Sequence, residues 1–210
     1  MKRISKLHYI TTSASLAEQA CEAGADWIQL RLKNTSYDEY KTTALEVLAV
    51  CRKYQAKLII NDNVSLALDI EADGVHIGKE DMPLAKARAI LGNEYIIGCT
   101  ANTLEDILRI VQGPADYIGL GPYRFTTTKE KLSPVLGLEG YHKLFEQLKQ
   151  EKTIVPPVVG IGGICSEDVE VLLATGLHGV AVSGAISQAS SVKDAAREFV
   201  ELCNHTVKTV

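Results

Sequence analysis

Short apolar runs recur along the chain at Leu7–Ile10, Trp27–Leu30, Leu58–Ile60, Val75–Ile77, Tyr95–Ile97, Tyr117–Leu120, Val158–Ile161 and Val180–Val182. They are rich in Ile, Val and Tyr and lack a polar alternate face, the pattern of strands buried on both sides. Between them the pattern turns helical. Ser15-Leu16-Ala17-Glu18 has the spacing of a capping box and Gly24 closes that helix. Thr103-Leu104-Glu105-Asp106 and Ser166-Glu167-Asp168-Val169 open two more. The helix-to-strand junctions resemble one another: Ala23-Gly24-Ala25-Asp26, Glu71-Ala72-Asp73-Gly74, Gly113-Pro114-Ala115-Asp116 and Thr175-Gly176-Leu177-His178. A weak internal repeat of strand–helix units predicts an α/β chain folded as a single (β/α)8 TIM barrel over residues 1–210. An open doubly wound sheet is the alternative, and the absence of a Gly-rich dinucleotide turn after the first strand counts against it.

Composition narrows the classes. The 210 residues carry 22 Lys+Arg against 26 Asp+Glu, a net charge of −4, and 46% are hydrophobic, enough for a real core. A mildly acidic chain argues against a general nucleic-acid binder, so an anionic ligand must be met by a few placed cations. No apolar run reaches the about 20 residues of a membrane helix, and the basic N-terminus leads into a strand-like run, so the expected location is cytoplasmic. Five scattered cysteines, without a C-x-x-C pair, are read as reduced thiols, Cys165 included. The oligomeric state is left open.

In a barrel, chemistry gathers where strands end. Gln29, Arg31 and Lys33 alternate along strand two and therefore face one way, an amide and two cations suited to a polyanion. Asn61-Asp62 ends strand three, and Asp81 follows strand four after His76 and Lys79. Two such carboxylates suit Mg²⁺, which takes oxygen ligands and keeps waters and substrate phosphates. Each reads equally as a helix N-cap, Asp62 before Val64–Leu68 and Asp81 before Pro83. His76 is expected to face the core as a neutral, hydrogen-bonded side chain. Thr100 and Asn102 follow strand five, Asn102 reading also as a cap. The stretch Gly121 to Gly137 is long, polar and threonine-rich, and Arg124, Thr126, Thr128 and Lys129 suggest an anion clamp. Gly162-Gly163 and Ser183-Gly184 follow strands seven and eight, where this fold usually binds phosphate. The mouth is thus expected to hold a cationic, metal-assisted anion site and a glycine-type monophosphate site.

From about Tyr9 to Gln188 the order of these pieces resembles the thiamine phosphate synthase (thiamine-phosphate pyrophosphorylase) family. The carriers are Gln29-x-Arg31-x-Lys33, Asn61-Asp62, Ala72–His76, Glu80–Pro83, Gly119–Pro122 with Thr126, Thr128 and Lys129, Gly160–Ile164 and Gly179–Ile186. The resemblance implies a transferase that joins an aminopyrimidine methyl diphosphate to a hydroxyethylthiazole phosphate. Pyrophosphate leaves first and no protein nucleophile is required. It implies Asp62 and Asp81 as Mg²⁺ ligands and Arg31, Lys33 and Lys129 as catalytic cations. Gln29, Asn61 and Thr100 would join those cations on the diphosphate substrate, and Thr126, Thr128, Gly163, Ser183 and Gly184 would bind the thiazole phosphate. Both partners are small molecules, with no nucleic acid and no membrane. Four departures stand out: Asn63 in place of arginine, Lys79 in place of glutamine, Arg124-Phe125 in place of Phe-Pro, and a shifted Ser183-Gly184. Lys79 would add a cation near the metal, and Arg124 would loosen its loop or add a phosphate contact. The alternatives are a thiazole tautomerase, whose relatives carry histidine where this chain has Asn102, and a non-catalytic thiamine-phosphate sensor.

Overall fold

Eight parallel strands close on themselves in sequence order, β1 Leu7–Thr11, β2 Trp27–Leu30, β3 Lys57–Asn61, β4 Gly74–Ile77, β5 Ile96–Ala101, β6 Tyr117–Leu120, β7 Val158–Ile161 and β8 Gly179–Val182. The computed structural model describes residues 2–125 and 134–205. Closure comes from β1 pairing with β8, with Leu7 beside Val180 and Tyr9 beside Val182. The expected barrel is therefore the observed architecture. Strand five runs further than the apolar run Tyr95–Ile97 suggests, through Thr100 and Ala101.

The helices are α1 Ala14–Glu22, α2 Tyr37–Tyr54, α3 Val64–Asp69, α4 Leu84–Leu91, α5 Leu104–Ile110, α6 Gly137–Gln150, α7 Val169–Ala174, α8 Gly184–Ser187 and α9 Val192–Asn204. The cap of α1 is Ser13, whose hydroxyl accepts from Leu16 N–H, and not Ser15. Ser13 is the last residue with extended backbone, so it holds the cap geometry. Glu18 instead pairs with Lys53 on the surface. Thr103 caps α5 as expected. The third opening begins as a single 3-10 turn, Ser166–Asp168, in which Asp168 reaches back to the Cys165 N–H (2.8 Å).

Two apolar layers result. Outward strand residues such as Ile28, Leu58, Ile60 and Ile118 meet the helices. Inward residues Ile10, Trp27, Ile59, Ile96, Tyr117, Val159 and Ala181 fill the barrel. Trp27 is fully buried and stacks on His8 at 4.2 Å. Because side chains alternate along a strand, the next inward positions toward the C-terminal end are Gln29, Asn61, His76 and Thr100. The interior therefore turns from apolar to polar as it approaches the mouth.

At the opposite end, the repeated junction acids act as braces. Asp73 accepts the Leu58 N–H (2.9 Å) and pairs with Lys57. Asp116 accepts the Ile97 N–H (2.8 Å) and pairs with Lys2 and Arg88. Two of the repeated junctions, at Asp73 and Asp116, are thus ion-paired braces across the floor. Among the described residues, no helix is long and apolar enough to cross a membrane.

Candidate active site

On one side of the mouth, β2, β3 and β4 bring Gln29, Arg31, Lys33, Asn61, Asp62 and Asp81 together. Gln29 donates its amide N–H to the Asn61 side-chain oxygen at 2.8 Å, and both are buried. Tyr40 of α2 donates to the carbonyls of Leu30 (2.7 Å) and Asn61 (3.2 Å), fixing the ends of β2 and β3. Asp62 has a positive φ of 64°, which Asp tolerates better than most residues. Neither acid caps a helix. Asn63 caps α3 by accepting from Leu66 N–H (2.9 Å), and Pro83 precedes α4 with no side-chain cap. Asn63, a departure from the expected arginine, is therefore a cap.

Asp81 instead accepts the Gly78 N–H at 2.6 Å and faces Asp62 within hydrogen-bonding reach. Burial raises the Asp62 carboxyl to about 7, the hydrogen bond and charge of Asp81 add to this, and Arg31 and Lys33 pull against it. The two carboxyl groups face each other in a cleft of about 420 Å³. Among the described residues no three His, Cys, Asp or Glu side chains gather as a complete metal cage. The pair fits a hard cation that completes its shell with water and phosphate oxygens.

Next around the ring lies a hydrogen-bonded line. His76 is buried, with Nδ1 2.9 Å from the Tyr117 hydroxyl and Nε2 3.0 Å from Thr100 Oγ1. Burial raises Tyr117 well above the usual phenol range, so its hydroxyl keeps its proton. His76 thus links the Tyr117 hydroxyl below it to the Thr100 hydroxyl nearer the mouth. His76 is buried and hydrogen-bonded as expected, and the tyrosine beneath it was not read from sequence. Its signal is Gly98, whose missing side chain leaves the space that the Tyr117 ring fills. Asn102 is no cap either: its amide donates to the Gly121 carbonyl, and its N–H donates to Asp106 (3.0 Å).

The far side of the mouth is built from paired charges. Lys79 is not a spare cation beside Asp81. It pairs with Asp106 of α5 at 2.8 Å, an acid also held by Arg109. Arg124 likewise is tied to Asp168 and Gly163. Burial pushes both acids up, but their cations and the backbone N–H groups of Asn102 and Cys165 outweigh it and hold them low. These buried acids were missed as site elements, although each is the acid closing a helix-opening sequence. Gly162 and Gly163 turn the chain after β7, and Ser183-Gly184 leads into α8. Cys165 is a free thiol raised by burial, not an activated nucleophile. Thr126, Thr128 and Lys129 lie outside the described residues.

Residues 4–186 match the family model of thiamine monophosphate synthase. The chain is 50% identical over 193 residues to a thiamine-phosphate synthase of Flavobacterium psychrophilum, covering 89% of this chain and 93% of that one. It is 50% identical over 188 residues to the enzyme of that name from Phocaeicola vulgatus, covering 90% of this chain and 88% of the relative. Among solved structures, thiamine phosphate pyrophosphorylase from Pyrococcus furiosus superposes with a TM-score of 0.83 at 33% identity, covering 94% of this chain and 95% of that one. Barrel and relatives agree, and the chain belongs to the thiamine monophosphate synthase family.

Proposed function

We propose that this chain is a cytoplasmic thiamine-phosphate synthase in one barrel domain, a transferase. It joins an aminopyrimidine methyl diphosphate to a hydroxyethylthiazole phosphate and releases pyrophosphate. The observation that carries the reading is the facing pair Asp62 and Asp81 set beside Arg31 and Lys33. Asp62 and Asp81 are the residues that would hold Mg²⁺, which when bound neutralises charge on the departing diphosphate. Arg31, Lys33 and Lys129 grip that diphosphate and stabilise the charge that develops as its C–O bond breaks. Gln29, having given its N–H to Asn61, keeps its oxygen to accept from the pyrimidine amine. Asn61 keeps its amide to donate to diphosphate, and Thr100 adds its hydroxyl to the same substrate.

Thr126, Thr128, Gly163 and Ser183-Gly184 hold the phosphate of the thiazole, leaving the ring nitrogen to attack the methylene carbon. The protein acts by placement and charge, and no side chain has to form a bond to carbon. The tautomerase alternative has no proton-transferring group at Asn102, whose amide is spent on Gly121. Steady-state rates of Arg31→Ala and Lys129→Ala test the assignment. Each is expected to fall at least about 100-fold, the scale of one lost transition-state donor. Near-normal rates in either variant would overturn it.

A further inference from the structure

Arg124 and Gly163 meet where the loop leaving β6 crosses the turn leaving β7. Tyr123 N–H donates to the Ile161 carbonyl (2.8 Å) and Arg124 N–H to the Gly162 carbonyl (2.9 Å), so the loop departs as added rungs on the end of β7. The Arg124 guanidinium then binds Asp168 with two prongs, one of them Nη2 to Oδ1 at 2.6 Å. It also donates Nη1 to the Gly163 carbonyl at 3.0 Å and lies over the Tyr123 ring at 4.6 Å. Asp168 is only 4% exposed and is held in turn by the Cys165 N–H (2.8 Å) and the Tyr123 hydroxyl (3.3 Å).

Gly163 has a φ of +65°, and a Cβ there would sit 2.9 Å from the Arg124 Cβ, so glycine is needed for conformation and for space. In a trans peptide the carbonyl and the following N–H point in opposite directions. A Gly163 carbonyl held by Arg124 therefore turns the Ile164 N–H away from the loop. Consecutive N–H groups in a glycine turn form an anion-binding concavity only when their peptide planes are fixed.

We infer that Arg124 is a positioning residue: clamped by Asp168, it fixes the Gly163–Ile164 peptide so that the turn after β7 presents its N–H groups to the monophosphate of the second substrate. This rests on the function proposed above. Arg124 acts through the turn, because its guanidinium is committed to Asp168 and Gly163.

The test compares wild type, Arg124→Ala, Arg124→Lys and Asp168→Asn, with kcat, the KM of each substrate and the unfolding temperature for each. Asparagine keeps an acceptor for the Cys165 N–H but loses the charge that clamps the arginine. Arg124→Ala and Asp168→Asn are both expected to raise the KM for the thiazole phosphate about tenfold, the scale of one charge-assisted hydrogen bond. The KM for the pyrimidine diphosphate should move by less than about twofold, within what the loss of an unrelated exposed charge does. Arg124→Lys should fall between, since an ammonium does not span Asp168 and Gly163 together. An unchanged or lowered KM in Asp168→Asn would make Arg124 a direct phosphate ligand and overturn the clamp. A lower unfolding temperature with both KM values unmoved would reduce it to a strut and overturn it as well. If wild type forms no product, the proposed function itself fails; turnover with unmoved KM values in both variants defeats the clamp alone.

Discussion

The two sides of the barrel mouth both carry aspartates, yet the protein treats them in opposite ways: Asp106 and Asp168 are buried, whereas Asp62 and Asp81 are exposed. On the side of β5 to β7, Asp106 and Asp168 each have a cation and a backbone N–H, and both sit below the usual carboxylate range. On the side of β2 to β4, Asp62 is pressed against Asp81 and raised to about 7. Arg31 and Lys33 ease that repulsion without cancelling it. Two acids facing each other add nothing to the stability of the fold. The paired side is scaffolding for loops, whereas the repulsive side stores electrostatic demand for a cation and a polyanion.

Breaking each side should therefore produce a different kind of loss. The largest effect is expected on the repulsive side, where Arg31→Ala should lower turnover by at least about 100-fold, or about 2.7 kcal/mol, with the fold intact by circular dichroism. Asp106→Ala on the paired side should do the reverse. It strands Lys79, Arg109 and the Asn102 N–H and should cost about 2–3 kcal/mol in denaturant unfolding, as buried pairs do when one partner is removed.

The pH dependence of stability sharpens the contrast. Asp62 is raised in the fold, so its contribution is full below its unfolded value of 3.8 and is lost as pH rises toward about 7. Asp106 and Asp168 are depressed, so theirs is present at neutral pH and is lost as pH falls into the acid range. Unfolding temperatures of metal-free Asp62→Asn should lose the decline between pH 4 and 7 and keep the acid-side decline. Added Mg²⁺ should stabilise wild type more at pH 8 than at pH 5, because the cation competes with a proton for the same oxygens, and should not stabilise Asp62→Asn. The smallest effect is expected far from either side: Lys53→Ala, which breaks the exposed pair with Glu18, should change stability by less than about 0.5 kcal/mol.

Much of this was legible in the residues. Doubly buried strands leave continuous apolar runs, so all eight strands and their closure followed from pattern alone. Period-two alternation likewise carried Gln29 into the mouth, and position at a strand end carried Asn61 there. Strand five read short because Gly98 resembles a break, whereas it makes room for the Tyr117 ring. The partners of Lys79 and Arg124 stayed hidden because they lie 27 and 44 residues away, on the next helix-opening turns. Spacing along the chain reveals which residues share a strand face, but pairing across loops depends on how neighbouring units dock. For the same reason Asp62 and Asp81 read equally as caps until Asn63 and Pro83 were seen to occupy those positions.

The most direct measurement supplies the purified protein with the aminopyrimidine methyl diphosphate and the thiazole phosphate, with and without Mg²⁺, and follows both products by chromatography. The account predicts thiamine phosphate and pyrophosphate in equal amounts, dependent on the metal and abolished in Asp62→Asn. Absence of thiamine phosphate with wild-type protein under every divalent metal would contradict it.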